Sequence, residues 1–135
     1  MAFKTADEAY ELFKKTLEKI EKDEALYKSL AAANITVGVK VPNIDGSITI
    51  ICKDGKLQFE FGPSSQAVDG TITLNDDNLV RFWQGKLDPM VGMAKGELKA
   101  DGNFAALTKL IPLIKPIYPL FTEVLKESGR EDLVQ

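Results

Sequence analysis

Histidine is absent from the chain, and cysteine occurs once, at Cys52. Without imidazole there is no serine–histidine triad, no imidazole acid–base pair and no histidine-containing zinc site. A single thiol forms no internal disulfide and no cysteine-rich metal cluster. Arginine is scarce, at Arg81 and Arg130 only, and the net charge is −3. That balance argues against nucleic acid as a partner, which needs a clustered basic face. No stretch approaches the roughly 18 apolar residues of a membrane span. Met1 to Ile20 is charged every few residues and lacks the apolar core of a signal peptide. These absences give an expectation of a cytoplasmic protein with no cofactor, no metal and no catalytic residue. Cys52 is then reduced and packed inside a strand, with nothing to activate it as a nucleophile.

What is present suits one globular domain spanning residues 1–135, since 44% of residues are hydrophobic and 27% charged. Thr5 with Glu8 reads as a capping box. Ala6, Tyr10, Phe13, Leu17 and Ile20 then repeat at three and four, an amphipathic helix whose charged residues face solvent. Asp23 caps a second helix over Glu24–Ala32. Ile35, Val37, Val39 and Val41 alternate with other residues at a period of two, a strand. A turn at Pro42–Gly46 leads into a strand over Ser47–Lys53. Asp54-Gly55 predicts a tight hairpin into Lys56–Phe61. Val68–Leu74 reads as a fourth strand and Lys95–Ala100 as a fifth.

Between these strands, Asn75-Asp76-Asp77 opens a helix that turns Leu79, Phe82 and Trp83 inward and stops at Gly85. The paired carboxylates Asp76 and Asp77 fit a helix start better than acid–base work. Arg81 either pairs with one of them or holds a ligand head group, and Gln84 has the same two readings. Asp88-Pro89 starts a short helix over Met90–Ala94. Another helix carries Phe104, Leu107, Leu110 and Ile111. A tail with Pro112, Pro116 and Pro119 follows, its helix starting near Pro116 and ending at Gly129. The apolar stretch Leu110–Phe121 reads as a buried connector, as a flap over a tunnel mouth within a mobile 112–135 segment, or as an exposed docking patch.

The order Asp69-Gly70-Thr71-Ile72-Thr73-Leu74, Gly85-Lys86-Leu87-Asp88-Pro89 and Gly96-Glu97-Leu98-Lys99-Ala100-Asp101-Gly102-Asn103, followed by Ala106, Lys109 and Leu110, resembles the sterol carrier protein 2 family. The likeness extends over about residues 5–115. It implies an α+β fold, a five-stranded, mostly antiparallel sheet with helices on one face enclosing an apolar tunnel. It implies no enzyme, but non-covalent carriage of a fatty acid, fatty acyl-CoA, phospholipid or sterol-like molecule. Under that resemblance Phe82, Trp83, Met90, Val91 and Met93 line the tunnel, together with Leu107, Leu110, Ile111, Ile114, Ile117 and Phe121. The implied partners are a lipid or fatty acyl-CoA, then a lipid-metabolising enzyme or a transient membrane contact, for a monomer or weak homodimer. The alternative reading is an accessory module that docks an enzyme of a lipid pathway.

Overall fold

The computed structural model describes every residue from Met1 to Gln135. Two helices, α1 (Ala6–Lys22) and α2 (Glu24–Ala31), lead into a meander of β1 (Ile35–Val41), β2 (Gly46–Lys53) and β3 (Lys56–Phe61). A connection then crosses to β4 (Gly70–Leu74), followed by α3 (Asp76–Trp83), α4 (Pro89–Lys95), β5 (Leu98–Gly102), α5 (Phe104–Ile114) and α6 (Ile117–Glu127). The five strands lie in the order β3-β2-β1-β4-β5. All neighbours are antiparallel except β1 and β4, which run parallel. The fold is α+β, as expected.

Strand alternation decides where the core sits. Val37, Val39 and Val41 on β1, Ile48, Ile50 and Cys52 on β2, and Leu74 and Leu98 on β4 and β5 are buried in one apolar cluster. The register aligns Ile48, Val39, Ile72 and Ala100 as a row across the sheet. The opposite positions are Thr36, Gly38 and Lys40, then Thr71 and Thr73, then Lys99 and Asp101. The helices therefore cover one face. Asp54 and Gly55 both hold positive φ, 54° and 72°, which is the backbone a two-residue hairpin requires.

The apolar cluster has an aromatic centre. Phe13 of α1 stands 5.6 Å from Trp83 of α3, edge to face, and 5.5 Å from Phe121 of α6. Such pairs add about 0.5–1.5 kcal/mol each beyond the area they bury. Val124 and Leu125 are fully buried beside them. At its far end α6 closes on Gly129, where the Arg130 amide reaches the Leu125 carbonyl at 2.8 Å.

Several local expectations are corrected. The Thr5 side chain makes no capping bond, and Glu8 accepts from the Lys4 amide instead. The buried stripe of α1 is Ala9, Leu12, Phe13, Thr16 and Ile20, because the helix meets α6 as well as the sheet. The last strand starts at Leu98 rather than Lys95. Lys95 still belongs to α4, and Gly96, at φ 76°, ends that helix with the Glu97 amide on the Gly92 carbonyl. The fourth strand starts at Gly70, leaving Val68 in the exposed crossover. Pro112 lies within the last turn of α5, where it forgoes one backbone bond. The chain then bends by 64° into α6.

Candidate functional site

Two small apolar voids lie back to back between the sheet and the helices. The first, of about 30 Å³, is walled by β1, β2 and β4 through Val37, Val39, Ile50, Ile72 and Leu74. Its roof is Leu79, Phe82 and Trp83 of α3 and Leu107, Leu110, Ile111 and Ile114 of α5, so that all twelve lining residues are hydrophobic. The second void, also about 30 Å³, lies under Pro89, Met90 and Met93 of α4 and Phe104, Leu107, Thr108 and Ile111 of α5. Leu98 and Ala100 of β5 form its floor.

Ile72, Phe82, Leu107 and Ile111 line both, and so form the partition between them. Each void has about the volume of one water molecule, and ligand pockets run from about 300 to 1,000 Å³. The continuous tunnel implied by the resemblance is not open in this conformation. The α5 roof is drawn down onto the sheet at Gly70, where an added Cβ would lie 2.8 Å from the Leu107 side chain. Only glycine permits that approach.

The residues singled out in the sequence separate into three groups. Phe82, Trp83, Leu107, Leu110, Ile111 and Ile114 line the first void, and Met90 and Met93 the second. Val91 faces outward, 49% exposed. Ile117 and Phe121 are buried in the cluster with α1 and touch neither void. The sheet side of the lining, Val37, Val39, Ile50, Ile72 and Leu74 together with Leu79, was not assigned from sequence. Strand alternation already placed the strand residues on one face, and that signal was enough to find them.

The polar candidates are engaged elsewhere. Arg81 donates to Glu97 Oε2 at 2.9 Å and to Asn78 Oδ1 at 3.0 Å, rather than pairing with Asp76 or Asp77. Gln84 is buried. Its Nε2 donates to the Val80 and Leu133 carbonyls, and its Oε1 accepts from the Gln135 amide, which ties the C-terminal tail to α3. Neither side chain lines a void.

Asp76 does not cap its helix, because Asn75 does, accepting from the Asn78 amide. Asp76 is buried and accepts from the Phe3 amide at 3.0 Å, from Asn43 Nδ2 at 2.7 Å and from the Asp77 amide at 2.9 Å. Burial alone would raise its carboxyl. The hydrogen bonds from the Phe3 amide, Asn43, and the Asp77 and Ala2 amides outweigh that and hold it below the usual range. Burial pushes the Cys52 thiol up to about 11, which keeps it protonated and inert. No group of three or more acidic, cysteine or histidine side chains is placed to hold a metal ion. Two wider concavities, each about 600 Å³, are lined mostly by polar residues: one crosses the other face of the sheet, with Lys40, Ser47, Thr49, Ser64 and Gln66 among its walls, and one lies beside α3, with Asn43, Asn75, Asn78 and Lys99.

Comparison with known proteins agrees with this architecture. The chain is 36% identical over 67 residues to a mouse peroxisomal multifunctional enzyme type 2, an overlap of 50% of this chain and 9% of that enzyme. It is 35% identical over 49 residues to a sterol carrier protein 2 of Arabidopsis thaliana, 36% of this chain and 40% of that protein. The matches thus span well under half the length of these curated relatives. The solution structure of the sterol carrier protein domain 2 of Helicoverpa armigera superposes with a TM-score of 0.62 at 24% identity, covering 82% of this chain and 87% of that one. That likeness is one of fold. The model of the SCP-2 sterol transfer family matches residues 13–115, and the chain belongs to that family.

Proposed function

We propose that the chain binds a long-chain lipid without covalent chemistry, a fatty acid, fatty acyl-CoA, phospholipid or sterol-like molecule, and carries or presents it. The observation that supports this reading is the pair of apolar voids separated only by side chains, the second of which reaches the partly exposed Met90 and Phe104. Moving Leu107 and Ile111 off the partition joins them. Burying about ten methylenes of an acyl chain gains roughly 8 kcal/mol. The voids are too small for a chain of that length, so entry requires α5 to move off the sheet, and this gain is what offsets the opening.

The element that opens in this reading is α5. It lies between Gly102-Asn103 and Lys115-Pro116, and its outward face, Phe104, Ala105, Thr108, Lys109 and Pro112, is exposed. The flap of the sequence reading, Leu110–Phe121 within 112–135, spans the end of α5 and the start of α6; in this reading α6 serves as the anchored frame, since Phe121 and Leu125 are fully buried.

The test is native mass spectrometry of freshly purified protein, then denaturation and identification of what is released. A bound mass in the lipid range is expected. Met93→Trp and Leu110→Trp, which fill the second and first voids respectively, should each reduce uptake of a fluorescent fatty acid while the protein stays folded. An empty protein that also refuses a panel of fatty acids would overturn the carrier reading and favour a module that docks an enzyme.

A further inference from the structure

We infer that two copies of the chain pair antiparallel through the free edge of β5, continuing the sheet across a twofold axis at Ala100. β5 is an outer strand and pairs with β4 alone. The Asn103 amide donates to the Asp69 carbonyl at 2.8 Å, which sets the alternation of that ladder. Lys99 and Asp101 therefore turn their backbone groups toward β4, and Leu98, Ala100 and Gly102 turn theirs outward. No backbone bond from a turn or loop reaches any of these three. The other outer strand is guarded. The Leu57 amide of β3 donates to the Tyr27 hydroxyl of α2 at 3.1 Å, and Lys14 of α1 lies over the Phe61 ring.

Charge complementarity identifies the occupant of this edge as a second copy. A lone lysine on an edge strand keeps other strands away by repulsion. Here the charges match themselves. Antiparallel pairing about Ala100 sets Lys99 opposite the second copy's Asp101, and Asp101 opposite its Lys99. Both pairs fall at non-hydrogen-bonded positions, where opposing side chains stand closest. The two side chains are available, at 76% and 57% exposed, and their own contact along the strand is loose, at 4.0 Å. Between them Ala100 meets its counterpart and exchanges both backbone bonds, while Leu98 meets Gly102.

A second observation points to the same edge. Met90 and Phe104 are 58% and 46% exposed, two of the five large hydrophobic side chains the fold leaves in solvent. Both line the second void, whose floor is Leu98 and Ala100, so they stand on the helix face above β5. A twofold axis perpendicular to the sheet keeps both helical layers on one side. Met90 and Phe104 of the two copies then meet over the small residues Ala100 and Gly102. The same pairing thus covers the outward backbone groups and the exposed apolar side chains. It also turns the second voids of the two copies toward each other rather than toward water.

The experiment is sedimentation-velocity ultracentrifugation of the full chain over a range of concentrations. A reversible monomer–dimer equilibrium is expected. Ala100→Pro removes the central donor at an edge position that a monomer tolerates, and should abolish the dimer. Lys99→Asp and Asp101→Lys each set like charges opposite one another at two places, and should each weaken pairing about tenfold. Mixed in equal amounts, those two variants carry opposite charges at both places and should pair with each other. A chain that is monomeric at every concentration, its apolar lip left to some other partner, overturns the inference. So does a dimer that Ala100→Pro and both charge variants leave intact, and so do charge variants that stay apart when mixed. The pairing does not depend on the carrier reading, which uptake of a fluorescent fatty acid by folded Ala100→Pro tests by itself.

Discussion

The two halves of the helical layer are built to different standards. Around α1, α3 and α6, aromatic rings interlock, with Phe13 between Trp83 and Phe121, and the last of these has no exposure at all. Around α4 and α5, large apolar side chains stand in solvent and voids remain beneath them. The chemistry of the residues is similar in both halves. What differs is whether each apolar group has found a partner. A closely packed region holds one arrangement, because interiors near crystal density have no second way to fit. A region with unfilled apolar space can rearrange around a guest. The comparison places rigidity and adaptability in adjacent elements joined by the bend at Lys115-Pro116.

Three changes break or sharpen this contrast. Phe121→Ala carries the largest effect, a loss of about 3–5 kcal/mol in urea denaturation, because the cavity opens inside the interlocked rings. Asp76→Ala comes next, at about 2 kcal/mol, since the Phe3 amide and Asn43 lose a charged acceptor in a buried position. The same carboxylate sets a pH dependence. Its pKa is lowered on folding from an ordinary value of 3.8, so the stability it contributes is complete above that value and is lost as pH falls through the lowered one. Urea midpoints taken from neutral to acid pH should fall more for the native chain than for Asp76→Asn. Phe104→Ala is the smallest, within about 0.5 kcal/mol, because the ring is already half in water. A cost for Phe104→Ala approaching that for Phe121→Ala would erase the distinction between the two halves.

The features legible in the sequence are the ones decided within a few residues. The Asp54-Gly55 hairpin, the caps at Asp23 and Asp88, and the stops at Gly85 and Gly129 depend on neighbours along the chain. The capping box failed although its pattern was right, because the Glu8 carboxylate found the Lys4 amide one residue earlier. The β5 boundary moved because the Gly96 cap keeps Lys95 helical, and a lysine–glycine pair does not by itself say which side of a boundary it occupies.

The site was legible only in part, for a different reason. Leu107 and Phe121 are both apolar helical residues, and no local pattern distinguishes one that roofs a void from one that fills a core. That difference is set by what lies opposite. Gly70 brings Leu107 down onto β4, and Phe13 meets Phe121 from the far end of the sequence. Arg81 was open to the same error. Its partner Glu97 is sixteen residues away, whereas the nearer Asp76 is taken by the N-terminal backbone.

The pairing of α1 with α6 has a consequence for synthesis on the ribosome. The meander from Ile35 to Phe61 can pair as soon as it emerges, since each hairpin is local. The inner edge of β1 has no partner until Gly70–Leu74 arrives, and the Phe13 face of α1 stays incompletely covered until first Trp83 and then Phe121 do. Until those segments arrive the nascent chain carries an open strand edge and an incompletely covered apolar helix, the features that make partly folded species prone to aggregate. Helix α6 completes the cover of α1.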